Sequence, residues 1–96
     1  MPDGLLEAIK NYLDYTWSDE KLEAKLTGIA QRGMTYLDSM AGVALDYITE
    51  AAPRELLLEY CRYSVNGILD QFETNYAPFL IRLSLSNGSF YGRNVE

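Results

Sequence analysis

Histidine is absent from these 96 residues. That absence removes the commonest general base, the commonest metal ligand and the physiological pH switch together. Cysteine occurs once, at Cys61, so the chain can form no internal disulfide and has no cysteine cluster for a metal. Basic residues are few: eight Lys and Arg stand against fourteen Asp and Glu, for a net charge of −6. Gripping duplex DNA through its phosphates needs clustered Lys and Arg, so that mode is not expected. An acidic surface is first of all a matter of ordinary solubility, and it is also compatible with a wall past which DNA slides without sticking. No apolar run approaches the ~18 residues of a membrane span, and no basic-then-apolar leader opens the chain. The expectation is a reduced, cytoplasmic protein without membrane contact.

What is present is apolar and aromatic. Nearly half of the residues are hydrophobic (48%), enough for one domain with a real core but a modest one. A domain of this size gains stability by oligomerising. The periodicity predicts an all-α fold, a small bundle of about four helices. Leu5, Leu6, Ile9 and Leu13 fall on one face of a first helix over 3–13, with Asp3 as its cap. Thr16 or Ser18 can cap a second, long helix over 19–41, and Trp17 can staple over Leu22. Leu22, Leu26, Ile29, Gly33, Leu37 and Met40 make its stripe, and Gly42 suits a left-handed C-terminal cap. Gly28 and Gly33 inside it each cost about 1 kcal/mol relative to Ala. Close approach of another helix, from the same subunit or a neighbour, is the expected compensation.

Pro53 fits the opening of a third helix, read as continuous over 53–73 because Leu57, Cys61, Ser64, Ile68 and Phe72 keep one phase across Asn66-Gly67. Residues 76–85 favour a short helix. The alternation of Phe79, Ile81, Leu83 and Leu85 before Asn87-Gly88 leaves a hairpin as the alternative. Residues 1–86 thus form the helical domain, and 87–96 an extended, flexible tail.

Candidate chemistry is sparse. Asp38-Ser39-Met40 looks like the Asp-Ser-Leu of acyl carrier proteins, but it ends a helix instead of starting one, so a solvated last turn is favoured. Glu55 and Glu59 lie one turn apart without a His, a Gly-rich calcium loop or a third ligand, which favours a solvated face. Glu59 and Arg62 are spaced to pair along the helix. Cys61 falls on an apolar stripe and reads as a small buried hydrophobe. No catalytic residue, cofactor or metal is expected, and the chain reads as a non-enzyme.

Aromatics are the anomaly: eight Tyr, three Phe and one Trp, about one residue in eight. Tyr12, Tyr15, Trp17, Tyr36, Tyr60 and Tyr63 cannot all be interior in a chain this short. Tyr and Trp suit interfaces, with a flat apolar body and a polar tip. The alternative is a set of core-edge residues with wet hydroxyls. Tyr15, Trp17 and Tyr63 are the favoured interface candidates.

Taken in order, IKNYL (9–13), Trp17, the acidic start of a long helix, Gly33, Gly42, RELLLEYCRY (54–63) and NGILDQFETN (66–75) resemble the head–tail connector (head-completion adaptor) proteins of tailed bacteriophages. The resemblance runs from about Ile9 to Leu85 and stops before the tail. It implies an all-helical virion protein at the head–tail junction. Such a protein forms a ring of about twelve subunits on the portal after DNA packaging, built by head-to-tail contacts between identical subunits. The ring extends the DNA channel, with no sequence-specific grip on the DNA, and presents a docking surface for the next connector or tail protein. On that reading Arg32 and Asp38 belong to a subunit interface on the second helix, and Glu55 and Glu59 face the channel. Phe90, Tyr91 and Arg93 dock on the portal or an adjoining subunit. The alternative is a small acidic helical adaptor or regulator, such as a DNA mimic, acting on a protein partner as a monomer or dimer.

Overall fold

The structure is a computed structural model, and it describes residues 1–86. These are all-helical: α1 (Leu5–Tyr12), α2 (Glu20–Ala41), α3 (Ala51–Val65), a 3-10 turn (Leu69–Gln71), α4 (Phe72–Asn75) and α5 (Ala77–Ser86). No strand occurs among the described residues, so the C-terminal segment is the helix of the two alternatives. The expected tail, 87–96, lies outside the described residues, and Phe90, Tyr91 and Arg93 lie there with it.

Helix α3 is the hub, packed against α1, α2, the 3-10 turn and α4, while α5 lies on α2 and α4. Six consecutive residues of α3, Leu56 to Cys61, are buried, so its core surface is not one stripe but most of its circumference. The stripes read from periodicity hold on α1, with Leu5 and Ile9 buried, and on α2, with Leu26, Ile29 and Leu37 buried; on α5 Leu80 and Leu83 are buried but Phe79 is half-exposed. Each such side chain removed from water stabilises the fold by about 1.5–3 kcal/mol.

Gly33 explains how α2 and α3 come so close. A methyl group built on it would sit 2.8 Å from Leu57 Cδ1 and 2.8 Å from Tyr60 Cδ1. The compensation for this glycine is therefore a helix of the same subunit. Gly28 is different. A methyl there would meet only Nη1 of Arg32, its own helix neighbour, at 3.5 Å.

Several expected boundaries are corrected. The third helix does not run to 73. It stops at Val65, because Gly67 takes a left-handed conformation (φ 74°) and the Ile68 N–H donates back to the Tyr63 carbonyl. Phe72 reaches the core from α4 instead, so the apolar phase continued while the backbone turned. Its start is Ala51, two residues before Pro53, where a missing N–H is still harmless. Asp3 does not cap α1, whose N-cap is Gly4. Thr16 and Ser18 do not cap α2 either: Asp19 does, accepting from the Lys21 N–H at 2.9 Å. With the cap at Asp19, the staple position falls to Ser18 and Trp17 lies outside it. Gly42 does close α2 in the left-handed region.

Candidate functional site

A cleft of about 900 Å³ opens between the N-terminal half of α3, the start of α5 and the end of α1. Its apolar wall includes Pro53 and Leu56 from α3 and Phe79 and Leu83 from α5. Glu50 and Glu55 stand exposed around it, with Arg82 opposite. The Glu50 and Glu55 side chains make no ion pair among the described residues. Arg82 lies over the Phe79 ring, 5.6 Å from its centroid.

Glu59 ties this cleft together from below. Its carboxylate accepts from the Tyr12 hydroxyl of α1, from the Tyr76 hydroxyl at 2.7 Å and from Arg62 Nη2 at 2.6 Å. Burial pushes the carboxyl pKa up, but the Arg62 and Tyr76 hydrogen bonds and the Arg62 charge outweigh burial and hold it below its ordinary value. Burial first, then the hydrogen bond to Glu59 and its negative charge, push the Tyr76 hydroxyl up to about 12. The expected Glu59–Arg62 pair forms. The expectation that Glu55 and Glu59 form a solvated acidic pair is corrected: Glu55 is exposed, whereas Glu59 is 8% exposed and its carboxylate is fully engaged. As an acid facing an open channel, Glu59 is withdrawn by its own subunit.

An aromatic ladder runs from the core to the same cleft. Tyr36, Tyr60, Phe72, Tyr63 and Tyr76 succeed one another at centroid separations of 5.6–6.0 Å, and Tyr76 meets Phe79 at 5.8 Å. Most contacts within it are edge-to-face, the favoured geometry. The ladder ends on Phe79, which is 48% exposed. Tyr63 therefore belongs to the core and not to an interface: it is buried, and its hydroxyl accepts from Asn75 Nδ2 at 2.9 Å. Tyr15 is half-buried and Trp17 is 53% exposed, meeting each other edge-on at 5.3 Å. Of the three favoured interface aromatics, only this pair reaches the surface.

Arg32 is exposed beside a shallow groove on α2 with Gly28, Gln31, Thr35 and Tyr36. Asp38 has a different task. Its Oδ1 accepts from the Leu45 N–H at 3.0 Å and from the Tyr47 hydroxyl at 2.5 Å, pinning the loop that follows α2. Burial, then the Asp38 hydrogen bond, drives the Tyr47 hydroxyl pKa well above its ordinary value. The expected solvated last turn at Asp38-Ser39 is thus corrected for Asp38, while Ser39 is exposed. In the same loop Asp46 accepts from the Ile48 and Thr49 N–H groups and from the Thr49 hydroxyl. The hydroxyl first, and then the backbone bonds, hold its pKa down.

Two structural groups escaped the sequence reading. Lys10 is buried, with its ammonium 2.8 Å from Glu23, joining α1 to α2. The hydrogen bond to Glu23 outweighs burial and raises its pKa. Tyr47 is buried, and its one hydroxyl proton, donated to Asp38, lies within reach of the Met34 carbonyl at 3.1 Å as well. The apolar neighbours of each were visible in sequence, but their partners stand 13 and 9 residues away on other elements. Cys61 is fully buried, as its stripe implied, and burial pushes its thiol up to about 12.

Among the described residues no group of three or more His, Cys, Asp or Glu converges as a metal site would require, and no helix is long and apolar enough to cross a membrane. Every buried side-chain polar atom there has a hydrogen-bond partner. The Glu59 carboxylate, the Lys10 ammonium and the Tyr47 and Tyr63 hydroxyls of the interior each join separate parts of the chain. No family model, curated protein or solved structure matches the chain.

Proposed function

We propose that this chain is a structural assembly subunit, a ring-forming connector at the head–tail junction of a tailed-phage virion. It would dock on the portal after packaging, extend the DNA channel and receive the next connector or tail protein. The reading starts from the ordered run of IKNYL, RELLLEYCRY and NGILDQFETN. One structural observation supports it: the buried side-chain polar atoms are all paired internally, while large apolar side chains are left outside. Phe79, Ile81 and Leu85 of α5 are 44–60% exposed, and Trp17, Val43 and Ile48 add to them. Surface of this kind serves contact with another protein.

A closed ring of identical subunits needs two different, complementary faces on each. The outer side of α2 is offered as one, where Gly28, Gln31, Arg32 and Thr35 line a shallow groove. Ile81 and Leu85, exposed one turn apart on α5, are offered as the other. Glu55, exposed and unpaired among the described residues, remains a candidate to face the DNA, whereas Glu59 is no longer one.

Light scattering across a concentration series, with negative-stain imaging of the same samples, tests the reading. Rings with a central hole are expected, and Arg32→Glu should abolish them without changing the helical circular dichroism. A monomer or dimer at every concentration would favour the small acidic adaptor instead.

A further inference from the structure

We propose that the exposed face of α2 docks on the α3–α5 cleft of a second copy of this chain, with Lys21 and Lys25 of one copy meeting Glu50 and Glu55 of the next. Lys21, Lys25, Gly28 and Arg32 follow one another at helical spacing, so they form a single stripe along α2. The three cations are exposed, and none makes an ion pair among the described residues. The acids of α2 lie off this stripe. Glu23 is turned to Lys10, Asp38 to the loop after α2, and Glu20 falls about 100° round the helix from Lys21. At the far end of the stripe Glu73 accepts from the Tyr36 hydroxyl at 3.1 Å. A chain of net charge −6 thus gathers three of its eight basic residues on one face of its longest helix. Gly28 lies in the middle of that face. A methyl there would meet only Arg32, so the roughly 1 kcal/mol that Gly28 costs the helix has no compensation inside its own subunit. A second chain lying close over Gly28 supplies that compensation.

The cleft is the matching surface. Glu50 and Glu55 stand exposed on its α3 side with no ion-pair partner among the described residues. They are separated by roughly 7.5 Å of helix rise, and Lys21 and Lys25 by roughly 6 Å, so the two pairs agree in spacing as well as in sign. Leu56 and the half-exposed Phe79 offer apolar surface on which lysine stems lie while their ammonium groups reach the carboxylates. Arg82, the cation lining the cleft, lies over the Phe79 ring and leaves the carboxylates in excess. The two halves cannot meet within one subunit. Helices α3 and α5 pack on the buried side of α2, and the basic stripe points the other way. Each copy therefore gives its α2 face to one neighbour and its cleft to another, which is a head-to-tail contact. This contact deepens the connector reading and rests on it: α2 remains one face, and the cleft joins α5 in forming the other. It also assigns Glu55 to the subunit contact instead of the channel.

Sedimentation of the full chain across a concentration series tests it, using a Lys21→Glu, Lys25→Glu variant, a Glu50→Lys, Glu55→Lys variant and their equimolar mixture. Each variant alone should associate at least tenfold more weakly than the native chain, because like charges then face each other. Its circular dichroism should be unchanged, since all four positions are exposed. The mixture should regain native association: the acidic α2 of one variant meets the basic cleft of the other, and the unaltered halves still fit. Raising the salt concentration should weaken the native assembly, as exposed charge pairs are screened. Rings that survive both reversals would overturn this contact and leave the connector standing. An assembly of two copies that shows the loss and the recovery would keep the contact and sink the connector. A native chain that stays monomeric at every concentration would overturn the contact. Loss in the α2 variant without recovery in the mixture would overturn it as well, by assigning the basic face to some other anionic partner.

Discussion

The hydroxyl of Tyr76 donates to Glu59 Oε1 at 2.7 Å, joining the connection before α5 to the middle of α3. Tyr12 reaches the same carboxylate from α1, so one buried charge fastens three separate parts of the chain. Removing it leaves two hydroxyls and the Arg62 guanidinium without their acceptor.

Glu59→Ala is accordingly expected to destabilise the fold by about 2–4 kcal/mol, and Tyr76→Phe by only about 1 kcal/mol. Urea unfolding followed by circular dichroism measures both. Equal, small effects would show that the carboxylate is not the tie described here.

The pH dependence has two sides. Because Glu59 titrates below its ordinary value of 4.5, its contribution is fully present above that pH and is lost as the pH falls through the lower folded value. Tyr36 and Tyr76 shift the other way, from 10.0 to about 12. Their contribution is fully present below pH 10 and lost as the pH rises through 12. Thermal melts across the pH range should fall off in both windows, the alkaline loss shrinking in Tyr76→Phe.

Gly33 and Gly28 should respond oppositely to alanine. At Gly33 the new methyl meets Leu57 and the rigid Tyr60 ring at 2.8 Å, and overpacking of this kind costs about 1–3 kcal/mol. At Gly28 the methyl meets only the mobile Arg32 side chain, and the gain in helix propensity is about 0.5–1 kcal/mol. Denaturant midpoints of the two variants distinguish these outcomes.

Asp38 is a poor probe of any subunit interface, since it anchors the loop after α2. Asp38→Ala should cost about 1–3 kcal/mol by releasing the Leu45 N–H and the Tyr47 hydroxyl. Hydrogen exchange should quicken at Leu45, and exchange in α1 should change only to the extent that global stability falls.

The Cys61 thiol, fully buried and raised to about 12, should resist a thiol reagent in the native state and react at the rate of unfolding. Fast labelling of the native chain would place it nearer the surface than the helix packing does.

By itself the sequence determined the helical class, the capped end of α2 at Gly42, the buried stripes of α1 and α2 and the burial of Cys61. These follow from spacing along one helix, which is local information. Only the tertiary structure decided the rest. Gly67 turns the backbone after α3 and Phe72 still reaches the core, and apolar phase alone does not distinguish this path from a continuous helix. Tyr63 and Glu59 look like surface residues in isolation. They are buried because aromatic rings and hydroxyls from α1, α4 and the connection before α5 close around them, at separations of 12 to 47 residues. Which polar side chains become ties, and which stay in water, depends on partners that periodicity cannot see.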